Sequence, residues 1–157
     1  MTGVQTCALP ISANVDDVFD ARRSAASRAA GAQEAAEQLA LAKTYLEMGM
    51  TDEAMAALTR AVKVPTYRFE AASLLGRLYL EREDPAQAVE WLERAAEAPA
   101  PTPDEGRELL YDFGATLETT GEISRALAVF MELQADAGDY RDVAARIDRL
   151  SRVQTGG

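Results

Sequence analysis

The sequence predicts an all-α array of stacked helix pairs, and three observations carry that prediction. The first is an internal repeat. Leu41-Ala42-Lys43-Thr44-Tyr45-Leu46 returns as Leu75-Gly76-Arg77-Leu78-Tyr79-Leu80, a shift of 34 residues. Ala54, Leu58 and Ala61 return in step as Ala88, Leu92 and Ala95. A third copy, Phe113-Gly114-Ala115-Thr116-Leu117 followed by Ala126, Phe130 and Leu133, is shifted by 38 residues, a four-residue insertion. A period of this size marks copies of one small unit that bury their apolar faces on each other. The second observation is helical spacing: Ala88, Trp91, Leu92 and Ala95 fall at i, i+3, i+4 and i+7, as do Ala54, Ala57, Leu58, Ala61 and Ala126, Val129, Phe130, Leu133. The third is punctuation by Gly and Pro at the ends of these stripes.

Taken in chain order, each element has its own signals. Residues 12–31 open with Val15, Val18 and Phe19 on a short helical face and turn polar through Arg22, Arg23, Ser24, Ser27 and Arg28. Gly31 is expected to break this stretch from the first copy, leaving it a linker or a short helix packed on the start of the array. Gly49 and Gly121 follow first helices, where a left-handed residue ends a helix at little cost. Asp84 before Pro85 reads as an N-cap with Pro at the first helical position. Thr102-Pro103-Asp104-Glu105 is a capping-box pattern. Pro65 and the run Ala98-Pro99-Ala100-Pro101-Thr102-Pro103 end second helices. Asp139 is expected to cap a last helix with Val143, Ala144, Ile147 and Leu150 on one face and Arg141, Asp142, Arg146, Asp148 and Arg149 on the other, a half-polar cover for the open end. Small residues are required where two helices cross closely: Ala42, Gly76 and Gly114 on first helices, Ala54, Ala88 and Ala126 on second helices.

Composition excludes several function classes. The 157 residues are 48% hydrophobic and 27% charged, an ordinary globular balance with room for one domain. No apolar run has the length to span a membrane. The net charge of −10 argues against nucleic acid, whose phosphates need clustered Lys and Arg. Acidity of this kind reads first as solubility and second as an acidic docking surface for a basic partner. With no His in the chain, Ser-His-Asp and Cys-His catalysis and His-based metal sites are excluded. The glycines are too dispersed for a phosphate loop, and no calcium loop is present. Asp52-Glu53, Glu83-Asp84 and Asp104-Glu105 lie at helix starts, where carboxylates favour the helix dipole, so they read as structural rather than as paired catalytic acids. No catalytic, cofactor-binding or metal-binding residue is assigned. Trp91 reads as core in preference to a binding anchor, and Tyr45 and Tyr79 as packing residues.

The period and residue types resemble the tetratricopeptide repeat, a helix–turn–helix hairpin. Copy two fits best, with Leu75, Gly76, Tyr79, Ala88, Leu92, Ala95 and a closing Pro99. Copy one has Ala42 in place of Gly and closes at Pro65; copy three has Leu117 in place of the aromatic. The aromatic that often opens the motif is missing: Gln38, Ala72 and Leu110 stand there. The resemblance implies a right-handed superhelix, an α-solenoid of three hairpins plus a C-terminal capping helix. It places the repeats at about 35–68, 69–106 and 107–138 and the capping helix at 140–152, within a repeat domain of 32–152, with 153–157 as a disordered tail.

The resemblance also implies a function: a non-catalytic protein–protein interaction scaffold whose concave groove, lined by first helices, binds a partner peptide or helix. The groove candidates are Leu39, Lys43, Leu46, Arg77, Leu80 and Tyr111, with Ala36, Glu47, Glu70, Ser73, Glu81, Glu108, Ala115, Glu118 and Thr119 on the same outward faces. Leu39, Leu46, Leu80 and Tyr111 would form an apolar floor. Lys43 and Arg77, at matching positions one repeat apart, would hold an acidic group; otherwise these residues pack between repeats or sit singly on the surface. Family members that bind chaperone tails use a Lys, Asn and Arg clamp. Here Leu39 and Lys43 replace its Lys and Asn, and Glu108 and Asp112 reverse the charge in the third copy, so no chaperone-tail carboxylate clamp is expected. The alternative reading is a regulatory C-terminal tail of a larger enzyme or assembly protein.

Residues 1–11, Met1 to Ile11, resemble a translated sequencing adapter, a disordered tail foreign to the fold, so Cys7 carries no redox or metal reading. Together with the Ala- and Arg-rich composition, this points to a C-terminal fragment of a bacterial protein. A cytoplasmic location is the default expectation.

Overall fold

The computed structural model describes Gly3 and residues 11–156. The adapter-like stretch through Pro10, Cys7 included, otherwise lies outside the described residues. Among these residues there are seven helices and no strand: α1 (Ile11–Glu47), α2 (Thr51–Ala61), α3 (Pro65–Glu81), α4 (Pro85–Ala96), α5 (Pro103–Thr119), α6 (Ile123–Ala137) and α7 (Val143–Thr155). Each helix packs on the next in chain order, and α1 also touches α3. The result is three hairpins and a last helix piled in sequence, an α-solenoid.

One principle closes every hairpin. Gly49 and Gly121 have φ of 74° and 80°, as their positions require. Gly49 N–H donates to Leu46 O at 3.0 Å and Met50 N–H to Tyr45 O at 2.8 Å; Gly121 and Glu122 repeat the pair onto Glu118 and Leu117. This is the Schellman end, which satisfies the orphan carbonyls of the last turn. The middle hairpin makes the same two bonds through Glu83 and Asp84, to Leu80 at 3.0 Å and Tyr79 at 2.9 Å. There the left-handed residue is Glu83, with φ of 59°. Asp84 then caps α4, its carboxylate accepting from Gln87 N–H at 3.2 Å, and Thr102 caps α5 through Glu105 N–H at 3.3 Å.

The core is two joined clusters. Leu39, Ala42, Met55, Leu58, Ala61, Leu75 and Leu78 form the first. Phe69, Leu92, Leu109, Phe113, Leu117, Phe130, Leu133, Val143 and Leu150 belong to the second. Trp91 is half-buried and packs against both, with the Arg94 guanidinium 4.5 Å over its ring. The small residues act at a fixed separation of 16 residues. A Cβ on Gly76 would lie 2.7 Å from Leu92 Cγ, and one on Gly114 would lie 2.8 Å from Phe130 Cε1. The first hairpin pairs Ala42 with Leu58 at the same separation, both fully buried, so its crossing admits the extra methyl.

Three expectations are corrected. Gly31 does not break the chain: α1 runs unbroken for 37 residues, about 55 Å. A mid-helix Gly costs only about 1 kcal/mol relative to Ala, and the surrounding Ala25, Ala26, Ala29, Ala30, Ala32, Ala35 and Ala36 favour the helix. Residues 14–30 do not pack on the array; they are exposed turns extending α1, with Phe19 58% exposed. The last helix starts after Asp142 instead of Asp139, with no side-chain capping bond, and continues through Thr155, so Val153–Thr155 are helical. Its burial of Val143 and Leu150 against α6 sets that start, because the apolar face must align with the core.

Candidate functional site on the first-helix face

The helices α1, α3 and α5 share one face of the array, and α7 follows them at its end. Ion pairs run along this face from helix to helix. Lys43 Nζ of α1 meets Glu70 Oε1 of α3 at 2.5 Å. Arg77 of α3 meets α5 twice, with Nη2 3.2 Å from Glu108 Oε1 and Nε 3.4 Å from Asp112 Oδ2. Glu118 of α5 receives Arg146 Nη1 at 2.7 Å and Arg149 Nη2 at 2.5 Å from α7. The cations at matching repeat positions are therefore already engaged by carboxylates of the neighbouring helix. Pairs as exposed as Lys43–Glu70 contribute about 0–1 kcal/mol each, so their main effect is on charge available to a ligand.

The apolar candidates divide. Leu39 is buried in the first core cluster, at 6% exposure, and offers no free surface. Leu46 is half-buried against that cluster and Leu80 against the second. Tyr111 is half-buried, edge-on to Phe130 and Tyr140 at 6.2 Å, and its hydroxyl donates to Asp142 Oδ1 at 2.6 Å. Arg146 Nη2 donates to the same hydroxyl at 3.2 Å. Tyr111 is thus covered by the turn before α7 and by Arg146 of that helix. These contacts hold the Asp142 carboxyl below the usual carboxylate range, chiefly through the Tyr111 hydrogen bond. They push the Tyr111 phenol up, first through Asp142 and then through burial.

Open space lies one step back, between α3 and α5. A groove of about 370 Å³ has Phe69, Leu74, Pro101 and Leu109 as its apolar lining. Glu70, Arg77, Glu105 and Glu108 stand around it, and Ser73 turns its hydroxyl back to Phe69 O at 2.6 Å. Beside it the Asp112 carboxyl is pushed up by burial, with Arg77 acting in the opposite direction. Arg77, Glu70, Ser73 and Glu108 were legible from the repeat register. Leu74, Pro101 and Glu105 were not, although the four-residue insertion was a signal: it lengthens the α4–α5 region, and Pro101 lies in that connection. Among the described residues no group of three or more His, Cys, Asp or Glu is placed to hold a metal ion. No helix among them is long and apolar enough to cross a membrane.

Solved structures share this architecture. The first tetratricopeptide-repeat domain of Spaghetti (RPAP3), bound to the HSP90 peptide SRMEEVD, superposes with a TM-score of 0.61 at 14% identity, over 79% of this chain and 95% of that one. The N-terminal domain of stress-induced protein-1 (STI-1) from C. elegans gives 0.64 at 15% identity, over 78% and 98%. MamA gives 0.61 at 20% identity, over 78% and 68%. At such identities the likeness concerns the fold alone. No curated protein matches the chain. Residues 38–65 and 71–106 each match the tetratricopeptide repeat as a sequence family, in register with the hairpins α1–α2 and α3–α4. With those two matches set in a solenoid of the same kind, the chain belongs to the tetratricopeptide-repeat proteins.

Proposed function

We propose that the chain is a non-catalytic interaction module, residues 32–152 forming its repeat domain, that takes a peptide or helix of another protein on the concave first-helix face. The tetratricopeptide repeat is generally an interaction fold without enzymatic chemistry. The observation that carries the proposal is the α3–α5 groove, an accessible cleft with an apolar lining on the face formed by first helices. A cleft of this kind offers a partner side chain burial, while the helices around it, already packed, need little further ordering on binding. The similar domain of Spaghetti is bound to a peptide, which supports the same class of role here.

Arg77, Leu80 and Leu46 belong to this face, and Lys43 and Tyr111 bound it. The test is site-specific photo-crosslinking, with the crosslinking residue placed at Glu105 beside the groove or at Glu90 on the exposed side of α4. Partners in a cell extract are expected to be trapped from position 105 and not from 90. Equal trapping at both positions, or trapping at 90 alone, rejects the groove.

A further inference from the structure

The charge around the groove names the chemistry of its occupant, an inference that rests on the groove reading above. The insertion contributes one lining residue of the cleft, Pro101. Six residues, 97–102, connect α4 to α5, against three, 62–64, between α2 and α3. The longer connection brings Pro101 to the groove, which Leu74 of α3 also lines. Three carboxylates, Glu70, Glu105 and Glu108, surround the opening, with Arg77 as the one cation lining it. That cation is committed to Glu108 and Asp112. Lys43 offsets Glu70. Glu105 has no cationic partner among the described residues. The excess is regional as well as local: residues 32–138 hold twenty acidic and nine basic residues, whereas 139–152 hold three and four.

We propose that the α3–α5 groove binds a basic peptide segment. An apolar side chain of the peptide enters over Leu74 and Pro101, and flanking Lys or Arg side chains reach Glu105 and Glu108. A peptide rich in carboxylates meets a rim of its own sign, which disfavours it. The helix dipole favours a carboxylate at Glu105 in the first turn of α5, and its place beside an apolar cleft, next to Glu108, leaves it available to a basic segment.

The experiment is fluorescence anisotropy on the full chain with three end-blocked peptides of equal length, in which Leu alternates with Arg, with Gln or with Glu. The Arg peptide is expected to bind tightest and to weaken with salt, since screening acts over about 10 Å at 0.1 M. The pair Glu105→Gln and Glu108→Gln is expected to weaken it about tenfold. Gln at position 105 keeps the helix start, because Gln serves a capping box as Glu does. The control pair Glu90→Gln and Glu97→Gln, exposed on and just after α4, is expected to change binding less than twofold. Equal loss from both pairs, or equal binding of the Gln and Arg peptides in a groove-dependent way, overturns the charge inference and leaves the groove standing. Binding of any of these peptides that ignores both the rim pair and a groove-filling Pro101→Trp overturns the groove itself, as does failure of all three to bind.

Discussion

Replacing Gly76 with Ala tests why the helices of a hairpin approach as closely as they do. The added Cβ would lie 2.7 Å from both Cγ and Cδ2 of Leu92 and 3.4 Å from its backbone N. Carbon atoms in contact prefer about 3.5–4.0 Å, so the overlap is about 1 Å. Leu92 is fully buried, and its Cγ sits too near the backbone to swing clear without displacing its neighbours. Overpacking of this kind costs about 1–3 kcal/mol. The better helix propensity of Ala returns up to about 1 kcal/mol. The expected net is a loss of about 1–2 kcal/mol, or roughly 2–8 °C in Tm for a chain of this size. Urea unfolding followed by circular dichroism and by Trp91 fluorescence measures it. Gly31→Ala is the reference: nothing lies within 4 Å of the new Cβ, so only propensity acts and a gain of about 0.5–1 kcal/mol is expected. Combining Gly76→Ala with Leu92→Ala should cost less than the sum of the two changes, because each relieves the other. If Gly76→Ala is as stable as Gly31→Ala, close approach is not the reason for glycine here.

Glu83 occupies the left-handed position that glycine holds in the other two turns, so Glu83→Gly should raise stability, by up to about 1 kcal/mol, and a lower urea midpoint would refute this. Tyr111→Phe removes the hydrogen bond to Asp142 and should cost about 1 kcal/mol at neutral pH. Its pH profile follows from the two shifts. The lowered Asp142 pKa gives stability that is present above the unfolded value, about 3.9, and is lost as pH falls through the folded one. The raised Tyr111 pKa gives stability present below about 10 that fades as pH rises through its folded value. Wild type and variant should therefore converge in acid and in base, and a pH-independent gap would contradict the assignment. Asp112→Asn should be neutral or slightly stabilising at pH 7, because burial, aided by the nearby Glu108 charge, pushes the carboxyl up against the pull of Arg77. A raised carboxylate pKa favours the folded state below the unfolded value and loses that benefit as pH rises through the folded one, so the wild type should improve relative to the variant on acidification. A loss above about 1 kcal/mol at pH 7 would show that the Arg77 pair outweighs burial.

By itself the sequence determined the repeat, the helix pairing and the residues at the crossings, because these depend on local period and side-chain size. Gly49, Gly121, Asp84 and Thr102 ended or began helices where their short-range chemistry places them. Leu39 shows where that reasoning stops: periodicity puts it on a first helix, but only packing against α2 and α3 decides that it is core instead of groove. Gly31 shows the same limit, since one weak breaker loses to a run of alanines. Lys43 and Arg77 look free in a linear chain, and it is the stacking of α3 on α1 and of α5 on α3 that supplies their carboxylates. The groove, its Pro101 lining and the closure of Tyr111 by α7 belong to the tertiary structure alone. They join residues from different repeats, and the distance between repeats is set by the buried side chains between the helices, which no single period encodes.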